Sequence, residues 1–173
     1  MYKCFWFTGL PCSGKTTLAK GLINKLNKEG LPNYLLDGDF FRRTYISSDL
    51  GFSKEDRRLN LLRAAEVARI LSSFDIYPVC AFISPYREVR SEVAELIGEE
   101  KFFLIYVKCP LSVCKNRDVK GMYRKATMGE IRHFTGVDSI FEPPSAPEVT
   151  VDTSSLSSQE STDYLWLKVK EVI

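Results

Sequence analysis

Gly9-Leu10-Pro11-Cys12-Ser13-Gly14-Lys15-Thr16-Thr17 decides the fold. The spacing is G-x-x-x-x-G-K-T, and its surroundings fit a loop that cradles phosphate. Upstream, Cys4-Phe5-Trp6-Phe7 is a short apolar run of the kind that forms a buried strand. Downstream, Leu18, Leu22, Ile23 and Leu26 recur at helical spacing. In a strand–loop–helix of this kind the glycines let successive N–H groups turn inward, and the helix adds the positive end of its dipole. Lys15 can then reach the β- and γ-phosphates, and the Thr16 hydroxyl can hold Mg²⁺. A glycine-rich turn matching by chance would lack the strand before and the helix after. The loop therefore predicts a nucleoside triphosphate site, with Gly9, Cys12, Ser13, Gly14, Lys15, Thr16 and Thr17 as its contacts.

The bulk properties narrow the remaining choices. A chain of 173 residues fits one domain, spanning 1–173, with room for a proper core. A formal charge of +2 is too balanced to make nucleic acid or a membrane the main partner. The odd count of 5 cysteines, with no metal-like pair spacing, argues against a disulfide framework. Cys4 and Cys80 sit in apolar runs and read as small buried hydrophobes. With no leader-like segment and no membrane-length apolar run, the expected compartment is the cytoplasm.

Read in order, strands alternate with helices. The first helix should end near Gly30, and Tyr34-Leu35-Leu36 should form a strand with Asp37-Gly38-Asp39 at its carboxyl end. Residues 40–51 read as loop and short helix. Ser53-Lys54-Glu55-Asp56 resembles a capping box, opening a helix whose buried stripe is Leu61, Ala64, Ala65, Ala68 and Leu71. Extended backwards, the stripe meets Asn60 and Arg57, two polar residues on a core-facing line. A cleft explains them better than burial without partners. An overhanging, solvated helix end is the alternative.

Tyr77 to Ile83 is a third strand; Ser84 is the expected N-cap and Pro85 the first residue of a helix ending at Gly98. Phe102 to Val107 is a fourth strand, Leu111 to Arg117 a short helix, and Val149-Thr150-Val151 a last strand. Residues 154–161 read as a polar linker before a closing helix over 164–172. Residues 118–147 carry Lys120, Arg124, Lys125 and Arg132 and then Pro143, Pro144 and Pro147, which predicts a mobile lid. The fold class is α/β: a five-stranded parallel sheet with helices on both faces, of the P-loop NTP hydrolase/kinase type. Its active edge should collect the P-loop, Asp37, Asp39 and Ser84.

Several stretches together resemble the adenylylsulfate (APS) kinase family, P-loop enzymes that phosphorylate the 3′-hydroxyl of adenosine 5′-phosphosulfate. Besides the P-loop they are Leu36-Asp37-Gly38-Asp39, Asp49-Leu50-Gly51-Phe52-Ser53 and Phe82-Ile83-Ser84-Pro85-Tyr86-Arg87. In the lid they are Arg117-Asp118-Val119-Lys120-Gly121-Met122-Tyr123-Arg124-Lys125-Ala126 and the run from Gly129 to Asp138. The resemblance implies that Asp39, Arg42, Arg57 and Asn60 contact the acceptor nucleotide. It further implies that Phe52 and Phe134 sandwich the acceptor's base, that Ile83 and Ser84 line the site, and that Lys120 reaches it from the lid. Some family members are described with a phosphoserine at the Ser84 position; direct in-line transfer, with Ser84 as contact or cap, is the alternative. A homodimer is also implied.

The expected reaction uses ATP and Mg²⁺. Lys15, Asp37, Asp39 and Ser84 are the candidate catalytic residues. Asp39 would orient the hydroxyl, and Asp37 would act on the metal through water beside Thr16. Arg117, with Arg124 and Lys125, would neutralise charge from the lid, and Arg117 would contact the donor. His133, the 1 histidine, reads as a lid contact and a poor general base. Phe40-Phe41 stands where the family often has Asn after Asp-Gly-Asp, beside the expected acceptor. A family branch acting on a cytidine diphosphate derivative (cytidine diphosphoramidate, in capsule synthesis) is therefore a second possibility for the acceptor. A shikimate- or gluconate-type kinase fits less well, because paired aromatics suit a base better than a polyol. A regulatory nucleotide switch is the non-enzymatic alternative, although the chain lacks the Asn-Lys-x-Asp guanine reader of GTP switches.

Overall fold

The computed structural model describes residues 2–173. Along the chain run β1 (Cys4–Thr8), α1 (Lys15–Lys28), β2 (Asn33–Asp37), α2 (Gly38–Phe41), α3 (Lys54–Ser73) and β3 (Tyr77–Ala81). They are followed by α4 (Arg87–Ile97), β4 (Phe102–Lys108), α5 (Leu111–Arg117), α6 (Met122–Thr127), β5 (Val149–Asp152) and α7 (Ser158–Val169). The sheet order is β2-β3-β1-β4-β5, and every neighbouring pair is parallel. All the strands therefore deliver their carboxyl ends to one edge, where ligands bind in such sheets.

The central strand explains the layers. Every residue of β1 is buried. Because successive side chains alternate, Phe5 and Phe7 pack with α1 and α7 on one face, while Cys4 and Trp6 pack with α3 and α4 on the other. Burying each of these large side chains contributes roughly 1.5–3 kcal/mol. Helices thus cover both faces, as the sequence pattern requires. Cys4 and Cys80 lie in the second layer with their sulfurs 3.8 Å apart, and all the cysteines are free thiols.

Local signals place several helix ends. Ser53 accepts the Asp56 N–H while Asp56 accepts the Ser53 N–H, so the capping box of α3 is formed. Gly30 follows the C-cap of α1 in the left-handed conformation that ends helices.

Two helix starts differ from expectation. The fourth helix begins at Arg87 behind Tyr86, so Ser84 is not its N-cap and Pro85 precedes it. Ser84 instead takes φ +44, with its carbonyl held by Thr8 of β1 and Arg90 of α4 and its hydroxyl by Trp6 of β1, so its hydroxyl caps no α4 amide. The last helix begins at Ser158, within the supposed polar linker, behind a Ser157–Glu160 capping box. Polar residues mislead there because Ser161 and Thr162 are buried. A Cβ on Gly21 would lie 2.5 Å from Thr162 Oγ1, so α1 and α7 touch through small side chains.

Candidate active site

The donor half is built almost entirely from main chain. Gly14 sits at φ +101 and Cys12 at φ +60, two left-handed residues that curl the loop inward. Gly9 is required for another reason: a Cβ there would lie 2.5 Å from the carbonyl of Val107 on β4. Lys15 is buried and donates to the Gly9 and Leu10 carbonyls at 2.9 and 2.7 Å, folded back over its own loop. Burial pushes its ammonium down to about 8, against the pull of nearby groups that include Asp39 and Asp37. Ser13 Oγ is buried without a hydrogen-bond partner. From behind, Thr153 donates to the Ser13 carbonyl at 2.7 Å and receives Arg117 at 3.2 Å. Arg117 also donates to the Thr153 carbonyl at 2.5 Å and reaches Cys12 O at 3.4 Å, so its guanidinium backs the loop.

The acidic pair sits beside this cradle. Asp37 caps α2 by accepting the Asp39 and Phe40 amides, and its other oxygen accepts the Thr16 hydroxyl at 2.8 Å. Hydroxyl and carboxylate oxygens suit Mg²⁺. Among the described residues there is no cluster of three or more His, Cys, Asp or Glu able to hold a metal. That sparse protein set fits an ion that keeps water and phosphate oxygens as its other ligands. Asp39 is exposed and pairs with Lys120 across the gap to the lid.

Main-chain carbonyls also organise the predicted acceptor residues. Arg57 and Asn60 are buried, so the solvated-overhang alternative is excluded. Arg57 Nε donates to the Phe52 carbonyl at 3.0 Å, and its Nη2 donates to the His133 carbonyl. One guanidinium therefore joins the segment of Phe52 to that of Phe134. Asn60 Oδ1 is buried with no partner, an acceptor left open at the same end of α3. Arg42 donates to the Gly51 carbonyl at 2.7 Å and lies 4.5 Å from the centre of the Phe52 ring. Burial lowers the pKa of both Arg42 and Arg57, and the nearby Arg57 charge lowers Arg42 further. Their hydrogen bonds go to neutral carbonyls, so their charge remains available to an anion. Phe52 is 54% exposed, whereas Phe134 is half-buried, edge-on to Tyr123. Phe41 is in the core against Phe82 and Phe40 is exposed, so only one of that unusual pair faces outward.

The lid segment is held at its start and at its middle. Asp118 accepts the Tyr123 and Arg124 amides at 2.9 and 3.0 Å, and Tyr123 Oη donates to the Pro11 carbonyl at 3.1 Å. Asp138 accepts the His133 and Phe134 amides at 2.7 and 2.6 Å, which keeps its carboxyl below the usual range and sets the Phe134 turn. His133 thus enters through its main chain. Arg124 and Lys125 are exposed.

Sequence reasoning missed Thr153, Tyr123 and Arg90. Nothing local marks Thr153. Arg90 was findable, because it falls on the line of Val93 and Ile97 just as Arg57 falls on the stripe of α3.

A parallel sheet with a P-loop at its central strand, an acidic pair at the end of β2 one strand beyond its neighbour, and a basic lid defines a P-loop phosphotransferase. The family described as adenylylsulphate kinase matches residues 1–152. The "Adenylyl-sulfate kinase" of Geotalea uraniireducens is 49% identical over 90% of this chain and 74% of its own. The "Probable adenylyl-sulfate kinase" of Halalkalibacterium halodurans is 44% identical over 96% of this chain and 83% of its own. The Mycobacterium tuberculosis APS kinase CysC, solved in complex with AMPPNP and APS, superposes with a TM-score of 0.93 at 36% identity, covering 98% of both chains. The chain belongs to the adenylylsulphate kinase family. Among the described residues no helix is long and apolar enough to cross a membrane.

Proposed function

We propose that the chain transfers the γ-phosphoryl group of ATP to the ribose 3′-hydroxyl of adenosine 5′-phosphosulfate, giving ADP and 3′-phosphoadenosine 5′-phosphosulfate. Curated relatives named for this activity align along most of their length, and a solved neighbour holds both nucleotide types. The observation that carries the reading is the Arg57 bridge. It supports a cleft in which the rings of Phe52 and Phe134 receive one base, with Asp39 close enough to Lys15 and to Arg42 to act on both charges.

In this reading the loop amides, Lys15 and Thr17 hold the donor phosphates while Arg117 supports the loop and the donor base. Thr16, with Asp37 through water, would hold Mg²⁺, which would supply neutralisation of the phosphate charge. The unpaired charges of Arg42 and Arg57 receive the acceptor's phosphosulfate, and Asn60 completes that pocket. Asp39 orients the 3′-hydroxyl and accepts its proton as the oxygen attacks phosphorus in line. Lys120 releases Asp39 to the hydroxyl when the acceptor enters. Transfer of this kind depends on position and charge neutralisation, so no covalent step on Ser84 is needed. That hydroxyl is buried and accepts the Trp6 indole N–H at 2.9 Å.

The test is an acceptor panel with purified protein, ATP and Mg²⁺. ADP release should require adenosine 5′-phosphosulfate and be absent with a cytidine diphosphate derivative. Turnover only with the cytidine compound would replace the acceptor, and acceptor-independent hydrolysis would favour a regulatory switch.

A further inference from the structure

We propose that Arg90 is a positioning residue for the acceptor half of the site, fixing the root of the lid to the Ile83–Ser84 turn. The inference rests on the acceptor assignment above, but its structural half is testable without it.

Arg90 is 4% exposed, on the buried face of α4. Its hydrogen bonds go to two main-chain carbonyls from distant segments: Ser84 O at 2.5 Å and Glu142 O at 2.7 Å. Burial lowers its pKa to about 10, with Glu142 opposing that effect and Arg87 adding to it. An apolar residue would fill this line beside Val93 and Ile97 without a desolvated charge, so stability alone does not account for an arginine.

What the guanidinium joins does account for it. On one side is Ser84, whose left-handed conformation is also held by Trp6 and Thr8 from β1. On the other is the end of the lid, where the Glu142 amide donates to Pro85 O at 2.8 Å and the Glu142 carboxylate accepts the Arg87 amide at 2.7 Å. Phe141 stacks on Tyr106 in the same place, with ring centres 6.1 Å apart. The segment bearing Lys120 and Phe134 leaves α5 and must land at this root. The position of the root therefore limits where those two side chains meet the acceptor. Arg57 fixes the middle of the lid and Arg90 its end, both by the same device of one guanidinium on two carbonyls.

The experiment compares parent, Arg90→Lys and Arg90→Met by steady-state kinetics and by hydrogen exchange without ligands. Lysine keeps the charge but replaces the fixed fork, with Nη1 on Ser84 O and Nη2 on Glu142 O, by a single flexible nitrogen on a shorter stem. We expect Arg90→Lys to raise the acceptor KM about tenfold while the ATP KM changes less than twofold, with Arg90→Met affected more. Exchange at the Glu142 amide and across 133–138 should accelerate about tenfold, with the amides of β1 unchanged. If Arg90→Met does not fold, Arg90→Lys alone decides. Acceptor and ATP KM rising together, or an acceptor KM within twofold of the parent, would overturn the proposal. So would unchanged exchange at Glu142. If the parent fails to turn over adenosine 5′-phosphosulfate, the acceptor assignment falls while the exchange result still decides the role of Arg90.

Discussion

The P-loop cradle and the cleft proposed for the acceptor lie on the same sheet edge and are built by opposite means. The cradle comes from nine consecutive residues, and the curl of its backbone is set by left-handed Cys12 and Gly14. The cleft comes from segments that are distant in sequence, and arginine side chains reaching main-chain carbonyls hold it together. A main-chain site is formed once its loop is formed. A site tied by long side chains depends on each tie, which makes it adjustable and easier to damage. Donor binding is therefore expected to be robust, with acceptor recognition concentrated in a few guanidiniums.

The contrast is broken most severely from the donor side. Lys15→Met should lower kcat on the order of 10³-fold, because its charge acts on the transferring group. The same variant tests the burial of Lys15. Between pH 8 and 10.5 the unfolded lysine is protonated while the folded one is not, so parent stability rises with pH across that window. Below pH 8 the full penalty remains. The parent should gain about 3 kcal/mol relative to the variant from pH 8 to 10.5 in denaturant titrations. A flat difference would mean that the ammonium is not desolvated.

A smaller effect is expected where the two halves meet. Asp39→Asn should lower kcat on the order of 10²-fold and leave the ATP KM nearly unchanged. An equal rise in ATP KM would assign Asp39 to the donor. On the acceptor side alone, Arg57→Lys should raise the acceptor KM roughly 30-fold with little change in ATP KM, since a single flexible ammonium cannot reproduce the fixed Nε and Nη2 fork on the two carbonyls. Loss of ATP affinity in that variant would show that the halves are not separable.

Ser84→Ala should have the smallest kinetic effect, a fall in kcat of less than about tenfold. It should also cost about 1–3 kcal/mol of stability, because the buried Trp6 N–H loses its partner. A fall on the order of 10³-fold in a fully folded variant would instead make Ser84 the nucleophile of a covalent route.

Legibility in the sequence followed the range of the interactions. The Ser53 capping box, the Gly30 stop and the apolar core of β1 rest on neighbouring residues or on strand alternation, and each was readable. Helical spacing also exposed Arg57 and Asn60 as polar residues on an apolar line. Phe52, Phe134 and Lys120 were reached only through family resemblance, since nothing local links residues so far apart. The Ser84 cap was misread because Ser-Pro is an ordinary helix start. Only the packing of Trp6, Thr8 and Arg90 around it forces another conformation.

By itself, then, the amino-acid order determined the phosphate loop, the parallel sheet and the donor chemistry, because dihedral preferences and apolar periodicity act over a few residues. Tertiary structure alone decided that Arg57 joins Phe52 to the Phe134 turn, that Thr153 and Arg117 back the loop, and that Arg90 joins Ser84 to the lid root. The physical reason is that these contacts pair a side chain with the carbonyl of a remote residue. Every residue has a carbonyl, so side-chain identity in the sequence does not mark which one will be used.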